Sequence, residues 1–452
     1  MSLTSPTDAD RPWAGRRLHF CAIGGASMSG LAVIAHRLGA SVSGSDRAES
    51  THLRDVRSAG IEPIVGEHAA DHVPAGAEVV YSSAVDPDNP ERVVARSEGG
   101  GGELHRAQLL AQITALKRLI AVSGTHGKTT TTSMITHILR ACGADPAYMI
   151  GGELRSSGHN AEWGAGEWMV VEADESDRSL LHYRPAIAVL TNAELDHHAT
   201  YRSRLDLEET LATFLGGAER AVVWDRPALR RLAARAGETI AYDAPAASLG
   251  PAGARFVWQG HTVTLAVPGQ HNAVNAAGAL WASTLAGIEP VAAVAALAHF
   301  SGARRRMERL GRTVSGAWVY DDYAHHPTEL AAAIAAARTL APARLVAVFQ
   351  PHLFSRTRML ADGFGASLAG ADLVAVTDIY PARECAGAFP GVDGRLVASA
   401  AADHGAGRTV LWLRAREELR GWLTSTLREG DLCLLMGAGD LDRLGRELVS
   451  PD

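Results

Sequence analysis

Short apolar runs alternate along this chain with longer segments of helical periodicity, and that alternation predicts α/β layering. Residues 18–23 predict a strand, 24–30 a turn and 28–38 a helix, with short strands to follow at 42–45 and 79–82. Four consecutive glycines at 99–102 are too flexible for the interior of an element and predict a surface loop, followed by a helix over 104–116. A second strand-turn-helix opens at 118–122; its helix carries Met134, Ile135, Ile138 and Leu139 as one apolar stripe. Strands are expected at 168–171 and 187–190, and a helix over the Ala- and Leu-rich stretch 275–285. A third series starts with a strand at 318–320, continues through a helix after Pro327, and adds strands at 345–349, 373–377 and 432–436. Three α/β domains account for this order: 1–117, 118–310 and 311–452.

Composition narrows the function. Hydrophobic residues make up 47% of 452 residues, enough for substantial cores, while a net charge of -7 argues against a general nucleic-acid binder. Residues 1–17 are polar and lack an apolar signal core, and no apolar run is long enough to span a bilayer, so no membrane partner is expected and the expected compartment is the cytoplasm. Cys21, Cys142, Cys385 and Cys433 are scattered without a close pair, which points away from a disulfide framework or a zinc site.

The strongest chemical signal is Gly124-Thr125-His126-Gly127-Lys128-Thr129-Thr130, placed after a strand and opening a helix. Glycines there let successive backbone N–H groups turn toward one anion, and the helix N-terminus adds favourable potential. Lys128, expected on an exposed loop, supplies a mobile positive charge for the β/γ-phosphates of a nucleotide, and Thr129 a hydroxyl for Mg²⁺. Val122 stands where the longer phosphate-loop consensus has its first glycine. Glu172, Asp174, Glu175 and Asp177 lie at and just beyond a strand end, where ligands of open parallel sheets sit. Glu172 is placed to bind Mg²⁺; the other three are also compatible with a solvated acidic turn. The next strand ends in Thr191-Asn192-Ala193-Glu194-Leu195-Asp196-His197-His198. Imidazole ligates metals, although oxygen suits Mg²⁺ better, so His197 is an unusual but well-placed candidate.

In order, residues 124–130, 172–177 and 191–197 resemble the central ATPase domain of the Mur ligase family of peptidoglycan synthesis. Gly269-Gln270-His271-Asn272-Ala273-Val274-Asn275 is similar to that family's adenine-side motif, and Arg304-Arg305-Arg306 to its basic stretch before the last domain. Further similarity lies in residues 23–30, 321–329, 349–352 and 437–440, so the resemblance runs from about His19 to Asp440. It implies a Rossmann-like N-terminal domain, a central phosphate-loop ATPase and a Rossmann-like C-terminal domain. It also implies ATP-dependent ligation of L-alanine to the carboxylate of UDP-N-acetylmuramate through an acyl phosphate, with Mg²⁺, by a monomer or homodimer.

The same resemblance implies the site residues. Gly24, Gly25, Ser27, Met28, Ser29, His68, Ser82, Ser83 and Arg106 match positions near the UDP-sugar; Asp46 either contacts the nucleotide or caps a turn. Gly124 to Thr130, Asn272, Asn275, Arg306 and Asp322 match the ATP side. Thr129 would hold one Mg²⁺ on the β/γ-phosphates, and Glu172 with His197 a second. Tyr323, His325, His352 and Arg356, brought to one sheet edge by neighbouring parallel strands, match the alanine pocket, with His325 or His352 accepting the amine proton and Arg356 gripping the carboxylate. Lys128, Glu172, His197, His325 and Arg356 carry the chemistry. Four positions depart from the family pattern: Ala22, Ser27 and Glu67 replace usual glycines, and these fit if their φ is negative. Leu353 replaces a common arginine, leaving Arg356 to hold the carboxylate alone. Three alternatives stay open: a related ligase whose amine is a recycled tripeptide, a nucleotide-dependent binding module without ligase chemistry, and, from the first glycine turn alone, a nicotinamide dehydrogenase.

Overall fold

Strands such as Ile187–Leu190 and Asp431–Met436 are buried along their whole length, as a parallel sheet covered on both faces requires. The computed structural model describes residues 11–196 and 200–449. They fall into two compact units, one of Met1–Ala244 with Ala277–Ala296, the other of Pro245–Ala276 with Leu297–Asp452.

The first unit holds two sheets. One is five-stranded and parallel, ordered Ile64–Val65, Ser41–Asp46, Arg17–Cys21, Glu78–Tyr81, Glu103–His105. The chain starts in the middle and works outward to each side, which places the end of Arg17–Cys21 at the point where strand order reverses; ligands bind at such points. The other sheet is seven-stranded, with Arg118–Ser123 between Ile187–Leu190 and Trp168–Glu172. Its edge pair Ala147–Met149 and Ala161–Glu162 is antiparallel. The predicted stripe of Met134, Ile135, Ile138 and Leu139 is fully buried on helix Lys128–Ala141. Gly30 lets helix Ala26–Arg37 meet the edge strand, because a Cβ there would stand 2.8 Å from that of Ala161. Asn160 fastens the same contact by donating from Nδ2 to Ala26 O at 2.7 Å.

The second unit contains an antiparallel meander, Ser248–Gly250, Gly253–Trp258 and His261–Leu265, that the apolar pattern did not foretell: Phe256, Trp258, Val263 and Leu265 are buried but alternate with exposed residues, among them the apolar Val257, over stretches too short to stand out. Its main sheet is six-stranded, ordered Glu308–Arg312, Trp318–Asp322, Asp431–Met436, Arg344–Phe349, Leu373–Val376, Thr409–Trp412. Strands Trp318–Asp322 and Arg344–Phe349 are therefore not neighbours, contrary to the expectation for the alanine-side residues; Asp431–Met436 pairs with both.

Three local expectations change. Residues 103–105 are a strand rather than the start of a helix, because His105 caps the helix Arg106–Thr114, its ring accepting from Ala107 N while Gln108 closes the box on His105 N. The glycines at 99–102 are not merely loose: a Cβ on Gly100 would stand 2.3 Å from Ala95 O, and one on Gly101 would stand 2.2 Å from Ala77 O. Ala22 adopts φ +61, so it does not replace glycine at negative φ, whereas Ser27 lies within a helix. No helix among the described residues is long and apolar enough to cross a membrane.

The left-handed backbone of Ala22 costs roughly 1–2 kcal/mol relative to glycine, and glycine returns less than that through its freer unfolded chain. Ala22→Gly should raise the unfolding midpoint, by the equivalent of roughly 0.5–1 kcal/mol. Thermal and denaturant melts of the two proteins measure this directly; an unchanged or lower midpoint would show that the turn is unstrained.

Candidate active site

The phosphate loop takes its shape from two glycines and the strand beside it. Gly124 has φ +128, and a Cβ there would lie 2.3 Å from Thr191 Oγ1. Gly127, at φ +79, turns the chain into helix Lys128–Ala141. From the adjoining strand end, Asn192 clasps the loop at both backbone groups of one residue: its Oδ1 accepts from His126 N and its Nδ2 donates to His126 O, each at 2.9 Å. Thr191 Oγ1 donates to the same carbonyl at 2.6 Å, and Thr125 Oγ1 exchanges hydrogen bonds with the Glu194 backbone. Residues 191–194 thus act as a buttress for the loop.

Lys128 is not on an exposed loop. It is the first residue of the helix, its side chain 11% exposed, and its Nζ donates to Gly124 O at 2.7 Å and to Glu175 Oε2 at 2.9 Å. Burial alone would depress its pKa, but Glu175, Asp174 and Glu172 outweigh burial and hold it above the ordinary lysine value. Glu175 is correspondingly not part of a solvated turn: its side chain is 2% exposed, and Tyr201 donates to its carbonyl at 2.6 Å. Asp177 also has a fixed partner, Arg106. Glu172 receives Thr129 Oγ1 at 3.0 Å on one oxygen and Gly151 N at 2.8 Å on the other. Two of the three residues expected to hold Mg²⁺ are thereby side by side; the third, His197, lies outside the described residues.

At the first glycine turn, Gly25 is exposed at the N-terminus of helix Ala26–Arg37, where backbone N–H groups are available to a diphosphate. Met28 and Ser29 send their side chains into the core, so backbone is what they offer. Asp46 takes the capping role, accepting from Gly24 N at 2.8 Å. Ser83 Oγ lies 3.1 Å from His105 Nε2, Ser82 is partly exposed beside it, and Arg106 follows on the same edge. His68 turns its Nδ1 inward to Ser45 at 2.8 Å.

In the second unit an aromatic chain runs along the strand ends. Tyr323 meets His325 edge-on at 5.4 Å, His325 meets His352 at 6.2 Å, and His352 stacks on Tyr380 at 5.9 Å with 11° between the rings. Arg356 is buried and donates from Nη1 to His352 Nδ1 at 3.3 Å. His325 Nδ1 lies 2.9 Å from Tyr323 O; the tautomer that donates there carries its lone pair on Nε2. Leu353 holds an unusual φ of +68, fixed by its N–H to Tyr380 O at 3.0 Å. A cavity of about 260 Å³ opens beside Tyr380, between Gln350, Asp378, Arg414 and Asp440. Asp322 is turned inward, its two oxygens accepting from Met307 N and Ala324 N at 2.8 Å each; burial pushes its pKa up to about 6 against the pull of Arg306. Arg306 lies 3.7 Å from Glu329. Asn272 is buried and donates to Pro268 O at 2.7 Å, and Asn275, one turn on, is buried as well. His271 beside them is neutral near pH 7, burial and Arg306 drawing its pKa down to about 4.

Sequence reasoning missed Glu175 as the lysine's partner and Tyr380 as the stacking platform. The first was visible as one of four acids but not distinguishable from its neighbours; the second lies far along the chain with no motif around it.

Known families match this chain along nearly all of its length. The model described as Mur ligase family, catalytic domain, covers residues 17–118; the Mur ligase middle domain covers 122–283; and the Mur ligase, glutamate ligase domain, covers 305–439. A UDP-N-acetylmuramate–L-alanine ligase of Streptomyces coelicolor is 42% identical, over 98% of each chain. The crystal structure of a UDP-N-acetylmuramate–alanine ligase from Thermotoga maritima superposes with a TM-score of 0.81 at 27% identity, over 96% of this chain and 98% of that one. A murein peptide ligase from Psychrobacter arcticus, at 23% identity and a TM-score of 0.68 over 96% of this chain and 98% of that one, shares the fold. With three consecutive family models and a full-length relative at that identity, this chain belongs to the Mur ligase family.

Proposed function

We propose that this protein joins L-alanine to the carboxylate of UDP-N-acetylmuramate at the expense of ATP, in the assembly of peptidoglycan precursors in the cytoplasm. The observation that carries the reading is a buried lysine at the head of a glycine-shaped phosphate loop, 2.9 Å from Glu175 and one residue from the Thr129–Glu172 pair. It occurs in a chain 42% identical, end to end, to a ligase of that name. A division into a UDP-sugar domain to about residue 117, an ATPase domain to about 310 and an amino-acid domain beyond agrees with the bounds of the three family models.

A carboxylate does not condense with an amine at neutral pH, because oxide is too poor a leaving group. Transfer of the γ-phosphoryl group removes the obstacle: a carboxylate oxygen forms a bond to phosphorus, the bond to ADP breaks, and an acyl phosphate results. The amine nitrogen then bonds to the acyl carbon, the C–O bond to phosphate breaks, and the nitrogen loses a proton. Phosphoryl transfer depends mainly on positioning and charge stabilisation. In the loop, backbone N–H groups and Lys128 receive the phosphates, and Lys128 exchanges carbonyl and Glu175 contacts for phosphate oxygens. Thr129 and Glu172 fit Mg²⁺, being adjacent oxygen donors 3.0 Å apart, with His197 as the further proposed ligand. When bound, Mg²⁺ neutralises charge as two anions approach. Asn272, Asn275, Arg306 and Asp322 serve the nucleotide's adenine and ribose side; the residues of the first glycine turn, with His68, Ser82, Ser83 and Arg106, serve the UDP-sugar. Arg356 takes the alanine carboxylate through two parallel hydrogen bonds. Of the two histidines, His325 is favoured as proton acceptor: its Nδ1 is engaged with Tyr323 O, leaving the lone pair on Nε2, whereas His352 Nδ1 accepts from Arg356.

ADP release, measured with UDP-N-acetylmuramate and a panel of amino acids, should be fastest with L-alanine and negligible without Mg²⁺. An equal or faster rate with a tripeptide would move the assignment to a peptide-adding relative. Lys128→Ala should lower turnover by roughly two to three orders of magnitude. Because Glu175 would be stranded in the interior, it should also lower stability, by up to roughly 3–5 kcal/mol. Adding Glu175→Gln should restore the stability but not the turnover; near-normal turnover in either folded protein would remove the lysine from the chemistry. With ¹⁸O in the muramate carboxylate, label should appear in the released phosphate, and unlabelled phosphate would exclude the acyl-phosphate route. Arg356→Lys keeps the charge and loses the fork, so the KM for alanine should rise roughly tenfold or more while that for ATP changes little. An unchanged KM for alanine would place its carboxylate elsewhere.

A further inference from the structure

Beneath the first glycine turn lies a buried cluster of which only His68 figures in the proposed function, beside the UDP-sugar; Cys21, Ser45, His72 and Glu91 have no part in it. Cys21 ends strand Arg17–Cys21, Ser45 lies on the adjacent strand Ser41–Asp46, His68 follows strand Ile64–Val65, His72 closes the short turn Ala70–His72, and Glu91 opens helix Pro90–Arg96. Four segments distant in sequence thus deliver polar side chains to one point. His68 Nδ1 is 3.9 Å from Cys21 Sγ and 3.2 Å from Glu91 Oε1, and His72 Nδ1 approaches that same oxygen at 3.1 Å. Ser45 Oγ donates to Glu91 Oε1 at 2.6 Å.

Hydrogen bonds do not complete this cluster. Glu91 and His19 are both fully buried, at 0% exposure, yet Glu91 Oε2 and His19 Nε2 lack an aligned hydrogen-bond partner, although they stand 3.4 Å apart. A carboxylate oxygen buried without a donor costs several kcal/mol unless something cationic meets it.

We propose that Cys21, His68 and Glu91 form a binding site for a transition-metal cation of the Zn²⁺ class, with His72 holding Glu91 on its open side. The three donor atoms all lie within 4.8 Å of one another. Tetrahedral Zn²⁺, with bonds of about 2.3 Å to sulfur and about 2.0–2.1 Å to nitrogen and oxygen, sets its ligand atoms roughly 3.3–3.8 Å apart. The Sγ–Nδ1 and Nδ1–Oε1 separations of 3.9 and 3.2 Å lie close to that range. A thiolate–imidazole–carboxylate set selects such a cation over Mg²⁺, which takes oxygen ligands, so this site is separate from the phosphate loop in chemistry as well as place. Binding would release the Cys21 proton to solvent and leave Ser45 to hold Glu91 from outside. Entry would be past His72, whose side chain is 18% exposed. The scattered cysteines concealed this arrangement, since its ligands come from single residues on separate elements rather than from a paired motif.

The test uses the full chain without a polyhistidine tag, stripped with a chelator and then dialysed against micromolar Zn²⁺ in excess Mg²⁺. One tightly held zinc per chain is expected, with X-ray absorption showing one sulfur at about 2.3 Å and nitrogen or oxygen neighbours at about 2.0–2.1 Å. Co²⁺ in place of Zn²⁺ should give a thiolate charge-transfer band in the near ultraviolet that is lost in Cys21→Ser and kept in Cys385→Ser. His72→Asn should weaken Zn²⁺ retention at least tenfold while leaving the band. No stoichiometric zinc, zinc without sulfur in its shell, or a cobalt band that survives Cys21→Ser would each overturn the proposal. The absorption measurement on the wild-type chain decides the matter even if Cys21→Ser does not fold.

Discussion

The first unit is organised around a cation that cannot leave. Lys128 begins a helix, where the backbone dipole already opposes positive charge, and it is nearly enclosed. Such a charge is tolerable only if acids surround it, and three of them, Glu172, Asp174 and Glu175, come from the end of the adjacent strand or just past it. That requirement fixes much else. The acids must sit at the sheet edge, the loop must curl so that Gly124 O and Thr125 O face the ammonium group, and the curl is possible because residues 191–194 brace it from the other side. Phosphate oxygens arriving in the loop would replace carbonyl and carboxylate partners of similar character, so the charge is already in position before any ligand comes.

Much of this was legible in the chain, and the parts that were not share a cause. Fully buried strands such as Ile187–Leu190 announce themselves as unbroken apolar runs, and the phosphate loop as glycines in a fixed order before a lysine. Where several like residues compete, local reading cannot choose among them. Glu175 is buried and its neighbour Asp174 is not, a difference created by the path of the chain rather than by the residues. Strand order is equally invisible locally: Asp431–Met436 inserts between two strands that precede it by about a hundred residues, which only the completed sheet reveals. Backbone sign at Ala22 belongs to the same class, since alanine in a left-handed turn leaves no mark in composition.

The second unit uses a different economy, stacking in place of charge. Tyr323, His325, His352 and Tyr380 form a continuous run of rings, and each histidine is turned by a polar contact at Nδ1, to Tyr323 O in one case and from Arg356 in the other. Ring contacts of this kind are directional but weak, so orientation comes from the backbone that carries them. Leu353 is the visible cost: its φ of +68 is held by a hydrogen bond to Tyr380 O, while Tyr380 N returns one to Pro351 O. Strain at one residue thus keeps two loops in register.

The contact between Gly124 and Thr191 bears on how such a loop can change over generations. A side chain at 124 would meet Thr191 Oγ1 at 2.3 Å and would also have to accept φ +128. Shrinking residue 191 relieves only part of the first problem, since the Asn192 backbone would still stand 2.9 Å from that side chain; it leaves the second, and it removes the hydroxyl that holds His126 O. No single replacement at either position is therefore neutral, and no simple pair restores what both supply. The loop and its buttress behave as one heritable unit, open to variation around it but closed to stepwise revision within.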